Sequence, residues 1–154
     1  MKLKIIKKGI EYIVLYDDLD HSLISQSSWC ISFMRSGKPR AEARVAGKLV
    51  RMHRIIAGAN HKDEIVDHIN GNTLDNRRSN LRICSNAENG RNRGKNSNNS
   101  SGFKGVFLKR DKWAAQIKHN GKSIHLGTFK TPEEAHLAYQ RAANKLHGRF
   151  KNYG

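Results

Sequence analysis

The sequence predicts an α+β fold built from small modules rather than one large core. Three observations carry that expectation. Residues 1–50 hold short β-branched and aromatic runs between turn signals, and residues 64–92 read as a hairpin followed by a helix. Residues 102–149 alternate apolar and polar, then change to the helical period. The hydrophobic fraction is 37%, below the globular average of about 45–50%, so any core is modest.

In chain order, "KIIKKGIEYIVLYDD" and "WCISFMRSG" are expected as strands, broken at Gly9, at Asp17-Asp18 and at Gly37-Lys38-Pro39. "KLVRMHRIIAGAN" runs a strand into a short helix that stops at Gly58. "EIVDHI" turns at "NGN" and returns as "NLRICS". A helix then starts at the N-cap Ser85, with Glu88 at the capping-box position and Asn89 facing inward. "RNRGKNSNNSS", with no apolar residue, reads as a flexible linker. Past it, "WAAQIK" turns Trp113, Ala115 and Ile117 to one face and Ala114, Gln116 and Lys118 to the other. The Asn-Gly pair in "HNGK" is a hairpin signal. "SIHLGTF" continues with Ile124 and Leu126 inward, Ser123 and His125 outward. Thr131, Pro132 and Glu134 open a helix, Ala135, Ala138, Tyr139, Ala142 and Leu146 form its buried face, and Gly148 ends it. The expected organisation is a β-rich segment at 1–50, a ββα core at 51–92, a basic linker at 93–101, and three antiparallel strands packed on one helix at 102–154.

Lys plus Arg total 29 against 13 acids, a net charge of +16, which predicts a polyanionic partner. Residues 77–122 alone carry 12 basic and 2 acidic residues. Cys30 and Cys84 have neither CxxC spacing nor clustered histidines, so no structural zinc site is indicated, and both are expected as reduced core thiols of a cytoplasmic protein. No apolar run reaches the roughly 20 residues of a membrane span, and the N-terminus lacks a signal-peptide pattern.

The chemistry concentrates in "VDHINGNTLDNRRSNLRICSNAEN", residues 66–89, where an Asp-His pair precedes recurring asparagines. Phosphodiester hydrolysis needs a base for water and a cation for the charge on phosphate and leaving oxygen. His68 suits the first task by its near-neutral pKa, while Asp67 and an amide oxygen are hard donors for Mg²⁺ or a similar ion. Adjacent strand residues point to opposite faces, so Asp67 and His68 reach one phosphate only if the strand bulges or turns there. A further amide has to fix the imidazole tautomer.

The string "VDHINGNTLDNRRSNL…AEN" resembles the HNH endonucleases, and most closely the phage and intron-associated branch in which Asp and Asn replace histidines as metal ligands. The resemblance implies a hairpin and a helix gripping one divalent metal, Mg²⁺ or Mn²⁺, in the host or infected-cell cytoplasm. It makes Asp67 and Asn89 the metal ligands, His68 the general base and Asn80 the holder of the imidazole. The upstream "HRIIAG" also resembles this branch. His53 within it is expected to be structural, with an accessory catalytic or phosphate-contacting role as the alternative. Asn70, Asn72 and Asn76 are expected as turn and hydrogen-bonding residues.

"GFKGV", "KWAAQI", "GK", "LGTF" and "EEAHLAY" resemble the plant ethylene-response-factor (APETALA-type) DNA-binding domain. That family lays its three-stranded sheet in the major groove. The matching positions imply contacts from Lys104, Phe107, Lys109, Gln116, Lys118, Ser123 and His125, with Lys122 and the linker's Arg91 and Arg93 also facing DNA. Gln116 suits adenine, and the lysines suit phosphates. Phe107, Ser123 and His125 stand where the plant proteins carry arginines and a tryptophan, so the plant target does not transfer. The combined expectation is a metal-dependent, site-preferring endonuclease of the homing type, acting on double-stranded DNA as a monomer or homodimer. The alternatives are a DNA-binding regulator with a residual nuclease scaffold and an RNA-directed protein.

Overall fold

The structure, a computed structural model, describes residues 1–96 and 98–154. It is mixed α and β, and its chain divides into two compact units, Met1–Ser85 and Asn86–Gly154. No helix among the described residues is long and apolar enough to cross a membrane.

In the first unit, β1 (Lys2–Lys7) and β2 (Ile10–Leu15) pair antiparallel. Their turn places Lys8 and Gly9 at φ 50 and 75, the consecutive positive values of a tight hairpin. A 3-10 turn (Asp18–Asp20) and α1 (His21–Ile24) lead to a sheet of β3 (Cys30–Phe33), β4 (Pro39–Val45) and β5 (Lys48–Arg51), in that spatial order. The strand-to-helix passage expected near residue 52 is present: β5 runs into α2 (Met52–Ile56), which gives way at Gly58, φ 67. A second hairpin pairs β6 (Ile65–His68) with β7 (Leu81–Cys84).

Residues 1–50 do not form a separate module. Ile5, Val14, Tyr16, Ile24, Ile31, Met52 and Ile56 share one core, against which Leu74 and Leu81 pack. The long loop between β6 and β7 is stitched onto β2: Leu15 N–H donates to Leu74 O and Asn76 N–H to Leu15 O, both at 2.8 Å. Arg78 then reaches back to the buried Asp20, its NH2 2.6 Å from Oδ1, while its backbone N–H donates to Asp17 Oδ2 at 2.7 Å. Cys84 is buried, but Cys30 is exposed at the start of an edge strand, so only one thiol is a core residue.

The second unit begins with α3 (Asn86–Asn92). Motif spacing put the change of module at 93–101, whereas backbone packing puts it at 85/86, because α3 packs with the C-terminal residues Gly148–Phe150. The linker, residue 97 apart since it lies outside the described residues, folds onto the unit. Lys95 Nζ donates to Gly102 O at 3.0 Å, and Asn99 Nδ2 to Phe103 O at 2.9 Å. β8 (Val106–Lys109), β9 (Lys112–His119) and β10 (Lys122–Phe129) form an antiparallel sheet with β9 central.

One face of this sheet meets α4 (Pro132–His147), whose N-cap Thr131 accepts from Glu134 N–H at 3.2 Å. Val106, Ala115, Ile117, Ala135, Tyr139 and Ala143 form the core between them. Small alanines on α4 let helix and sheet approach closely. At Gly105, φ 73, a β-carbon would lie 2.4 Å from the Tyr139 ring and 2.5 Å from Gln116 O, so only glycine fits. Ile124 pairs with Ile117 and shares its face, yet is 38% exposed because β10 is an edge strand. His147, which the helical pattern did not single out, is buried and hydrogen-bonds Lys118 O at 3.0 Å.

Candidate functional site

The β6–β7 ladder is regular through His68, pairing Asp67 with Arg82 and His68 with Leu81. The bulge expected at the Asp-His pair is absent, and the chain turns only afterwards, with Gly71 N–H donating to His68 O at 2.9 Å. Asp67 and His68 therefore leave the strand on opposite faces, and both are buried. Asp67 Oδ2 accepts from Arg82 Nε at 3.0 Å and NH2 at 2.7 Å. Arg82 went unrecognised from sequence, although the hairpin register, once fixed, sets it directly across from Asp67.

The imidazole of His68 meets Asn76 rather than Asn80. His68 Nε2 lies 3.2 Å from Asn76 Oδ1, and Asn76 Nδ2 donates to Met52 Sδ at 3.6 Å and toward Leu74 O. Asn80 instead closes the loop: its Oδ1 accepts from Asn70 N–H at 2.9 Å, and its Nδ2 donates to Asp75 O at 2.7 Å. The reason is positional. Asn80 precedes Leu81, the cross-strand partner of His68, and its backbone already pairs with Ile69. Asn76, by contrast, is pulled inward by the stitch onto Leu15.

The same loop has an electrostatic hub at Asp75, which is 2% exposed. Its carboxylate accepts from Arg77 Nε and NH2 at 2.8 and 2.7 Å and from Asn70 Nδ2 at 2.9 Å. The Arg77 bonds hold the Asp75 carboxyl below the usual carboxylate range. Asn70 and Asn72 also cap the turn, accepting from Asn72 N–H and Leu74 N–H.

His53 belongs to the site. Its ring meets that of His68 edge to face, centroids 5.2 Å apart. Burial, then the neighbouring His68 and the charges of Arg51, Arg54 and Arg40, push the His53 pKa down to about 3. Burial also lowers that of His68, against the opposing Asn76 bond and Asp67 charge. Burial thus favours the neutral form of both rings. Arg54 of the "HR" pair braces the approach to β6, its guanidinium bonding Glu64 O, Ala59 O and His61 O. No group of three or more His, Cys, Asp or Glu gathers among the described residues. Asn89 is half-buried in α3, within the second unit.

On the sheet, the pairs His125–Gln116, Ser123–Lys118 and Phe107–Ala114 share the face opposite α4. Lys109, across from Lys112, joins them there, and Gln116, Lys118, Lys109 and His125 are all exposed. Lys122 pairs with His119 at the hairpin tip, so by alternation it belongs to the α4 side. A cavity of about 690 Å³ opens where this face meets α3 and the linker, lined among others by Arg91, Arg93, Lys95, Gln116, Lys118 and Ser123. Lys104, expected to reach outward, turns inward: its Nζ donates to Arg91 O at 2.6 Å and to Arg93 O. Burial brings its pKa down to about 8.

Comparisons with known proteins match two successive segments of the chain. The family model described as HNH endonuclease matches residues 50–91, and that of the AP2 domain matches residues 101–149. An ethylene-responsive transcription factor-like protein of Arabidopsis thaliana is 55% identical over 41 residues, 27% of this chain and 18% of its own. A dehydration-responsive element-binding protein of the same plant is 44% identical over 61 residues, 38% of this chain and 30% of its own. The chain thus spans under a third of either plant protein. No solved structure matches it. An uncharacterized HNH endonuclease of Acanthamoeba polyphaga mimivirus is 31% identical over 134 residues, 83% of this chain and 67% of the viral protein. A likeness running along most of both sequences, and through the hairpin that carries Asp67 and His68, makes this chain a member of the HNH endonuclease family with an AP2 domain after the nuclease segment.

Proposed function

We propose that the chain is a metal-dependent, site-preferring DNA endonuclease of the homing type, hydrolysing phosphodiester bonds. The observation that carries this reading is the His68 imidazole, buried at the end of β6 and held by an amide, with burial lowering its pKa. Asn76 turns its Nδ2 to Met52 and Leu74 O, so its Oδ1 faces the ring and accepts from Nε2–H. The lone pair of the neutral ring is then on Nδ1, the nitrogen that would take the proton of the attacking water. His53 packs on the ring and excludes water from one side of it.

A carboxylate oxygen of Asp67 and a carboxamide oxygen of Asn89 are hard donors that suit Mg²⁺ or Mn²⁺. A divalent cation would offset the charge developing on the phosphate and leaving oxygen. Arg82, on Asp67 Oδ2, fixes how that carboxylate is presented.

Double-stranded DNA is the proposed substrate. The basic composition, the exposed row of Gln116, Lys118, Ser123 and His125, and the likeness to a plant element-binding protein support it. Arg91 and Arg93, on the rim of the same cavity, would hold backbone phosphates.

The test is supercoiled plasmid incubated with Mg²⁺ or with a chelator. Wild type should nick or linearise the plasmid only with the metal, and His68→Ala should abolish cutting while keeping DNA affinity. Retarded but uncut plasmid with the wild-type protein would make it a binding regulator instead.

A further inference from the structure

We propose that Lys104 is a positioning residue: it fastens helix α3 to the AP2 sheet and so holds Asn89, the proposed cation ligand, in one place within the second unit. Its consequence for cutting rests on the nuclease reading above; the fastening itself does not.

Helix α3 has seven residues, Asn86–Asn92. A helix that short does not persist in water by its own hydrogen bonds, so its place depends on what it is tied to. Three ties arrive from different parts of the unit. Lys104, just before β8, sends its ammonium to Arg91 O and Arg93 O. These carbonyls lie at the end of α3, where backbone acceptors lack helical partners and a cation is favoured by the helix dipole. Asn152, in the C-terminal tail, donates from Nδ2 to Asn92 O at 2.6 Å. Arg91 NH2 reaches Asn120 Oδ1 at 3.4 Å, in the turn between β9 and β10.

Lys104 is the tie nearest the sheet in sequence, and its half-buried ammonium donates to two carbonyls. A lysine serving DNA phosphates would keep its ammonium in solvent. Gly105 follows it, packed against Tyr139 and Gln116 O, so the backbone from which the strut springs is itself fixed to the sheet and α4. The helix that carries Asn89 therefore moves with the sheet rather than swinging on the linker.

The test compares full-length wild type with Lys104→Met. Hydrogen exchange should accelerate several-fold at the amides of residues 86–95 while those of β9 and β10 keep their protection. On a DNA whose cut site has been mapped, the single cut position should spread over neighbouring nucleotides. Unchanged exchange in α3, acceleration throughout the unit, or a sharp cut made merely more slowly would each overturn the proposal. If Lys104→Met does not fold, Asn152→Ala must loosen α3 in its place, and an unaltered helix in that folded variant is equally fatal. Wild type that cuts nothing sinks the nuclease reading alone, since the exchange measurement still decides the strut.

Discussion

At the residue scale, the site turns on which amide faces His68. Asn76 makes that contact, whereas Asn80 spends both ends of its carboxamide on the Asn70–Asp75 loop. Asn76→Ala should therefore lower kcat by about 10- to 100-fold, the usual cost of losing a partner that orients a working histidine, with DNA affinity retained. Asn80→Ala should instead lower the melting temperature. Turnover and thermal melts on both variants separate the roles. His53 adds a pH dependence. Its folded pKa, about 3, lies below the ordinary value of 6.5, so below pH 6.5 the unfolded chain takes up a proton that the folded chain refuses. Its stability contribution is complete above pH 6.5 and declines as pH falls toward 3. Melting temperature against pH should accordingly fall less steeply below 6.5 for His53→Gln than for wild type. Residue type made Asp67 and His68 candidates from sequence, and the family resemblance added Asn89. The partner of the imidazole was not legible, because six asparagines lie between residues 66 and 89 and only the folded loop says which one points inward.

At the element scale, the β6–β7 hairpin was readable from its strand pattern and its "NGN" turn, and so was the sheet of residues 106–129 with its covering helix. Two features escaped. The ladder stays regular at Asp67 and His68, since pairing to Arg82 and Leu81 satisfies the backbone without a bulge. The long hairpin loop is held by residues far away in sequence, through Asp17, Asp20 and the end of β2. That anchoring is testable. Asp20→Ala and Arg78→Ala should each destabilise the protein, and the double variant should be more stable than the sum of the two predicts. A coupling of about 1 kcal/mol is expected for a contacting charged pair whose arginine is half exposed. Additive losses in denaturant titrations would show that the loop is held by its backbone bonds instead.

At the scale of the whole molecule, the +16 charge makes the proposed affinity for DNA a matter of ionic strength. A plot of log Kd against log salt concentration should be steep, and Lys118→Gln should reduce its slope by about 1, the loss of one phosphate contact. An unchanged slope would remove Lys118 from the DNA-facing set. The sequence by itself determined the α+β class and the two family segments, and it named the residue types on which the proposed chemistry rests. These depend on local pattern and composition, which are written along the chain. Only the tertiary structure decided that residues 1–50 share the core of the nuclease hairpin, that α3 belongs with the AP2 sheet, and that Lys104 turns inward. Each of those outcomes is a choice among long-range partners. It is settled by which apolar side chains pack together and which buried polar groups find an acceptor, and no local pattern records that.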